Sequence, residues 1–369
     1  MTLLLSLPPL MSVTRHRAPA GRILLKTISF KHDQEEFFQL FSRTTRRTSS
    51  SSNTTSSSAD KEQIVLIHNL PNGIKHVELN RPDKLNSLNL KMFHAIAQAA
   101  QQIRKDPSAR AVVLSGKGRA FCTGLDVNSI LKPSLEDGIL PMEKIRTLLQ
   151  RPSGYERQEG EGRELDDAED ESSTSTQTSV EDLYEASAFG NLAQDIALLW
   201  RNIPIPVIAV LNGMCFGGGL QLALGADMRY ATKDCKLSVM EAKWGLIPDM
   251  SATITLRELV RIDVAKELTY TGKVVDGTQA EALGLITRTC EDPMEEAMKV
   301  AEAIASKSPD SIAAAKILYQ KSWFASEKDC LELETDIQKR LLVSWNQMAA
   351  SAKNFGVHLP YKDRQDFDK

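Results

Sequence analysis

No aspartate or glutamate occurs before Asp33, while basic side chains (Arg15, Arg17, Arg22, Lys26, Lys31) alternate with apolar ones over the same stretch. A segment so poor in acids, followed by Arg43, Arg46, Arg47 and the hydroxyl-rich run TSSSSNTTSSS at 48–58, has transit-peptide chemistry and is excluded from the core. Its composition predicts a mitochondrial address, with a plastid as the alternative. The last residues, DFDK, lack the peroxisomal tripeptide. Cysteine is also scarce, five in 369 residues, with no C-x-x-C and no Cys/His pair at ligand spacing. That excludes a disulfide framework and a zinc site, and it predicts reduced thiols and no metal. Surplus positive charge is missing too. Lys and Arg number 45 against 48 Asp and Glu, a net charge of −3, so no global field attracts nucleic acid or anionic membrane. The long uncharged stretch, 203–226, is interrupted by two prolines, three consecutive glycines, Asn212 and Gln221. A membrane helix is therefore excluded, and the stretch divides into a buried strand over Val207–Leu211, a glycine turn and a helix start.

What is present is an alternation of strands and helices. Apolar segments at 63–68 and 74–79 flank the turn signal Leu70-Pro71-Asn72-Gly73. Residues 90–105 put Met92, Ile96, Ala99 and Ile103 on one helical face, and 111–114 (AVVL) reads as a short buried strand. A helix is expected over 219–225. After residue 265 the pattern is mostly helical, with apolar three- and four-residue spacing at 295–306 and 327–344. Residues 151–182 are acidic and then Ser/Thr-rich, with too little apolar surface to offset the entropy of ordering. They read as a solvated insertion. The expected organisation is a leader over 1–60, an α/β core over 61–265 containing that insertion at about 150–182, and a helical region over 266–369.

Two glycine turns carry the chemistry, because each follows a buried strand. One is Phe121-Cys122-Thr123-Gly124-Leu125-Asp126; the other is Cys215-Phe216-Gly217-Gly218-Gly219-Leu220-Gln221. Glycines there let the backbone turn and present N–H groups to a ligand, and a helix starting near Gly219 would add its positive end. Two such donors stabilise an oxygen that gains negative charge. Packing of strand on helix accounts equally for three glycines.

Together with Asn80-Arg81-Pro82-Asp83-Lys84-Leu85-Asn86-Ser87-Leu88 and LSVMEAKWGLIPDM at 237–250, these segments resemble the crotonase (enoyl-CoA hydratase/isomerase) superfamily over roughly 62–355. The resemblance implies a spiral of ββα turns and a C-terminal helical trimerisation region, hence a homotrimer or hexamer. The implied substrate is an acyl-CoA thioester, with no cofactor beyond it. The thioester oxygen would be held by the N–H groups of Leu125 and Gly218, and the CoA would lie near Lys84, Leu85 and Asn86. Hydratases of this superfamily use two glutamates twenty residues apart; here those positions hold Gln221 and Glu241. An amide cannot take up a proton near neutral pH, so Gln221 is left to orient substrate or water. Asp249, eight residues beyond Glu241, matches the second acid of dienoyl-CoA isomerases. The expected activity is isomerisation of an enoyl- or dienoyl-CoA in fatty-acid β-oxidation, with Glu241 and Asp249 catalytic. An enoyl-CoA hydratase or a non-catalytic acyl-CoA-binding protein are the alternatives. Three bland roles stand beside this: Asp249 as cap of a helix starting near Ser251, Trp244 and Met240 as packing residues, and Cys122 and Cys215 as small buried side chains.

Overall fold

The computed structural model describes residues 63–131, 140–151 and 190–367, all within one compact unit, Ser57–Lys369. The expected leader and nearly all of the expected insertion lie outside the described residues.

Nine described strands form two sheets: β1 Val65–Asn69, β2 Ile74–Leu79, β3 Ala111–Gly116, β4 Val207–Leu211, β5 Met214–Phe216, β6 Met228–Ala231, β7 Lys236–Ser238, β8 Val275–Asp276 and β9 Arg288–Thr289. The larger sheet has the order β1-β2-β3-β4-β6-β9, antiparallel only between β1 and β2; the smaller has the order β5-β7-β8. The core helices are α1 Leu90–Lys105, α2 Val127–Leu131, α3 Pro141–Leu149, α4 Leu192–Asn202, α5 Gly218–Leu224, α6 Ala252–Leu259, α7 Ile262–Thr271, α8 Gly277–Leu283 and α9 Pro293–Ala305. Helices α10 Pro309–Ser322, α11 Glu327–Leu341 and α12 Trp345–Asn354 follow. The α/β class is as expected.

The uninterrupted apolar runs of β3 and β4 are explained by burial on both faces, since side chains alternate along a strand. Ala111, Val113, Ile208 and Val210 pack against Ala297 and Ala301 of α9. Val112, Leu114, Val207 and Ala209 face the opposite way, into the main core with Met92, Phe93 and Ile96 of α1 and Trp200 of α4. Helix α1 spans the residues its periodicity predicts, with Asn89 accepting a hydrogen bond from the Met92 N–H at its start. The helix expected over 327–344 forms but ends three residues early, at Leu341. Val343 takes φ 62°, which an α-helix cannot contain, and Ser344 then caps α12 through the Gln347 N–H. Helices α10 and α11 have a small core of their own, built from Ala313, Ala314, Ile317 and Ile337 with Phe367 of the tail.

Candidate active site

Strand β4 delivers the chain to β5, and β5 to the start of α5, so the glycine turn lies where two sheets meet. Here the segment after β3 runs alongside β5. The Cys122 N–H donates to the Met214 carbonyl at 3.2 Å, the Phe216 N–H donates to the Cys122 carbonyl at 3.0 Å, and Cys122 pairs in parallel with Cys215. Two residues further along, Gly124 comes up against the start of α5, where a Cβ added to it would lie 3.3 Å from the Gly218 nitrogen. Leu125 pairs with Leu88, which receives the hydrogen bond of Asp126 N–H (2.9 Å) and donates to the Gly124 carbonyl (2.8 Å). Since Gly124 C=O and Asp126 N–H point toward Leu88, the intervening Leu125 N–H points away from Leu88. Neither the Leu125 nor the Gly218 N–H has an acceptor among the described residues.

The glycines allow this approach. Gly124 (φ 84°) and Gly217 (φ 51°) occupy the left-handed region, and a Cβ on Gly124 would lie 2.8 Å from the Phe216 carbonyl oxygen and 3.3 Å from the Gly218 nitrogen. The other two are small because neighbours fill the space: Met250 and Leu88 cover Gly218, and Cys122 abuts Gly219. Packing and donor presentation are thus the same feature. Cys122 and Cys215 are fully buried as expected, and burial pushes the Cys122 thiol up to about 12, so it holds no nucleophile at neutral pH.

Glu241 opens a single 3-10 turn, Glu241–Trp244, just after β7. Pairing of Phe216 with Ser238, and the Gly217 N–H on the Ser238 carbonyl (2.9 Å), fasten that strand to the glycine turn. The Glu241 carboxylate therefore lies against Gly217, where an added Cβ would be 3.4 Å from Oε1. It is 8% exposed; Oε1 accepts from Gln221 Nε2 at 2.6 Å, and Oε2 is buried with no partner among the described residues. Burial raises its pKa, the Asp249 charge raises it further, and hydrogen bonds from backbone and Gln221 act in the opposite sense.

The Gln221 side chain is buried, with Oε1 accepting from the Met250 N–H at 2.8 Å and Nε2 donating to Glu241, so both ends of the amide are held by the protein. Asn86 departs from expectation, being fully buried with its amide tying its loop to the segment after β3. Oδ1 accepts from the Arg81 N–H (2.8 Å), and Nδ2 donates to the Lys117 (3.0 Å) and Ala120 (2.9 Å) carbonyls. Its side chain shapes the loop and has no group left for CoA. Lys84 is exposed at the loop tip, and the Leu85 carbonyl accepts from the Thr123 N–H (3.2 Å). Arg81, whose role sequence reasoning did not find, braces its own loop through the Ser87 carbonyl (2.5 Å) and lashes it to the donor turn through Asp126 (3.1 Å). Both residues sit inside the recognised segments, but nothing local pairs positions 45 apart.

Asp249 does not cap α6. The residue before that helix, Ser251, has φ 70°, and no side chain caps the first turn. Instead Asp249 borders a cavity of about 360 Å³ with Gln194, Leu198, Ile247, Thr253 and Ile254. Its side chain is solvent-exposed by surface area, yet the surrounding protein desolvates it enough to raise its pKa. Glu241 is not in that lining; the two acids are joined through Met250, which follows Asp249 and is bound by Gln221. Trp244, expected as a packing residue, is 50% exposed. Among the described residues no cluster of His, Cys, Asp and Glu could hold a metal, and no helix is long and apolar enough to cross a membrane.

Comparison with known proteins gives the following. Family models described as Enoyl-CoA hydratase/isomerase match residues 74–150 and 174–355. The chain is 26% identical over 283 residues to the peroxisomal Delta(3,5)-Delta(2,4)-dienoyl-CoA isomerase of Arabidopsis thaliana, covering 76% of this chain and 89% of the relative. It is 30% identical over 255 residues to the mitochondrial Delta(3,5)-Delta(2,4)-dienoyl-CoA isomerase of Rattus norvegicus, covering 66% and 64%. Among solved structures, an enoyl-CoA hydratase from Bacillus anthracis shares the fold at TM-score 0.64 and 22% identity, over 82% of this chain and 99% of that one.

Proposed function

Since the chain belongs to the crotonase superfamily, the enoyl-CoA hydratase/isomerase family, we propose that it is an acyl-CoA double-bond isomerase of fatty-acid β-oxidation. Its substrates are Δ3-enoyl- or Δ3,5-dienoyl-CoA thioesters, and no cofactor takes part. The observation that carries this reading is the buried carboxylate of Glu241, with an amide where a hydratase would place its partner acid. One base can move a proton, whereas activating and protonating a water calls for two acids.

The thioester oxygen sits between the Leu125 and Gly218 N–H groups, which stabilise it as it becomes an enolate. Glu241, ionised, takes a proton from C2; the electron pair delocalises toward the carbonyl oxygen. Returning a proton to C4 of a 3-enoyl substrate, or to C6 of a 3,5-dienoyl substrate, completes the shift with no net change in atoms. The more distant carbon needs a second acid. The position of Asp249 on the cavity wall supports that role, and the likeness to dienoyl-CoA isomerases favours the longer substrate. Lys84 and the Leu85 backbone meet the CoA, in a loop shaped by Asn86. Exposed apolar side chains on α10 and α11, Tyr319 and Leu331 among them, support a homotrimer or hexamer. The basic leader supports a mitochondrial location.

Purified protein mixed with 3,5-dienoyl-, 3-enoyl- and 2-enoyl-CoA, followed by near-ultraviolet absorbance, tests the assignment. Gain of thioester-conjugated absorbance from the first two is expected. Rapid loss of absorbance from 2-enoyl-CoA would assign a hydratase instead.

A further inference from the structure

The Gln221 amide can be oriented from its surroundings alone. A backbone N–H only donates, so the Met250 N–H at 2.8 Å must face the amide carbonyl, and the NH2 end must then face Glu241. That end donates to Oε1 at 2.6 Å, while Oε2 of the same carboxylate is buried without a partner. The side chain spans 20 residues of sequence toward Glu241 and 29 toward Met250. It also starts from α5, the helix whose first residue is Gly218, and Met250 covers that glycine.

We propose that Gln221 is a positioning residue that assigns different tasks to the two oxygens of Glu241: its amide pins Oε1, and Oε2 alone is left to carry the proton. The proton-carrying part rests on the isomerase reading; the pinning does not. One neutral side chain thereby sets the rotation of the carboxylate, its distance from the Asp249–Met250 loop and its height above the Gly218 donor. The same contact favours the ionised form of Glu241 against the burial that opposes it. A glutamate at 221 would fit the same space but could donate to Oε1 only while it held a proton. A methionine could neither donate to Oε1 nor accept from Met250.

Two variants, Gln221→Met and Gln221→Glu, test this with a readout independent of turnover. In protein labelled with 13C at the glutamate side-chain carbonyl, the Glu241 signal is identified by its loss in Glu241→Gln. Its titration should move to higher pH in Gln221→Met. In kinetics with 3,5-dienoyl-CoA, Gln221→Met should lower kcat by roughly 10²-fold on the high-pH plateau with KM nearly unchanged, the cost of a misoriented reacting group, and by more at lower pH, where less of Glu241 is ionised. Gln221→Glu should retain activity at low pH and lose it as pH rises, where the wild type does not. An unchanged Glu241 titration in folded Gln221→Met, or a wild-type pH profile in Gln221→Glu, would overturn the proposal. Should Gln221→Met not fold, the Gln221→Glu profile decides. If wild-type protein isomerises nothing while the titration still moves, the pinning stands and the isomerase reading falls.

Discussion

Replacing Gly124 by alanine tests the geometry of the two donors more directly than any change to a charged group. The backbone at Gly124 has φ 84°, and an L residue there costs about 1–2 kcal/mol. The new Cβ would also sit 2.8 Å from the Phe216 carbonyl oxygen, where ordinary contact begins near 3.4 Å, so the two segments must separate by about 0.6 Å. The atoms that the Cβ meets, the Phe216 oxygen and the Gly218 nitrogen, are backbone, so no side-chain rotation relieves the contact. Overpacking of this kind costs about 1–3 kcal/mol, giving roughly 2–5 kcal/mol in all. The separation acts along the line between the chains that carry Leu125 and Gly218. Losing the use of one such donor lowers kcat by about 10²–10³-fold. Urea unfolding would measure the first effect, and dienoyl-CoA turnover below the unfolding transition the second. Leu125→Ala is the control: it keeps the N–H and should change kcat only a few-fold. Wild-type stability and turnover in Gly124→Ala would refute both the packing argument and the assignment of these donors.

Glu241→Gln should reduce turnover by about 10²–10⁴-fold, the usual worth of a general base, while calorimetric binding of a CoA ester persists. Asp249→Asn should impair 3,5-dienoyl isomerisation much more than 3-enoyl isomerisation, read by comparing kcat/KM for the two substrates. Because burial raises the Glu241 pKa and the base must be ionised, kcat/KM should climb with pH through a midpoint above the usual glutamate range. The sign for stability is opposite. The folded protein retains this proton longer than the unfolded chain, so stability should fall as pH rises between the ordinary and the raised value, and Glu241→Gln should remove that part of the slope in thermal unfolding.

Much of this could be read from local signals. A continuous apolar run marks β4, periodicity marks α1, and glycines after strands mark the donor turns, because each depends on neighbours in sequence. The resemblance to the crotonase superfamily singled out Gln221, Glu241 and Asp249, and the structure brings the first two into contact. Contacts between distant segments were not legible. Whether Gly124 comes up against the Gly218 nitrogen depends on the register of Cys122 against Cys215, set by segments about ninety residues apart. Asn86 looks identical in sequence whether it meets a ligand or the Lys117 and Ala120 carbonyls, and only the folded loop decides. Gln221 looks like a weakened acid until the Met250 N–H fixes which way its amide points. Residue types and spacing thus determined which groups are available. Tertiary structure decided which polar atoms are consumed by the fold and which, like Glu241 Oε2 and the two free N–H groups, are left to act, because hydrogen-bond partners are settled only when distant chain segments pack.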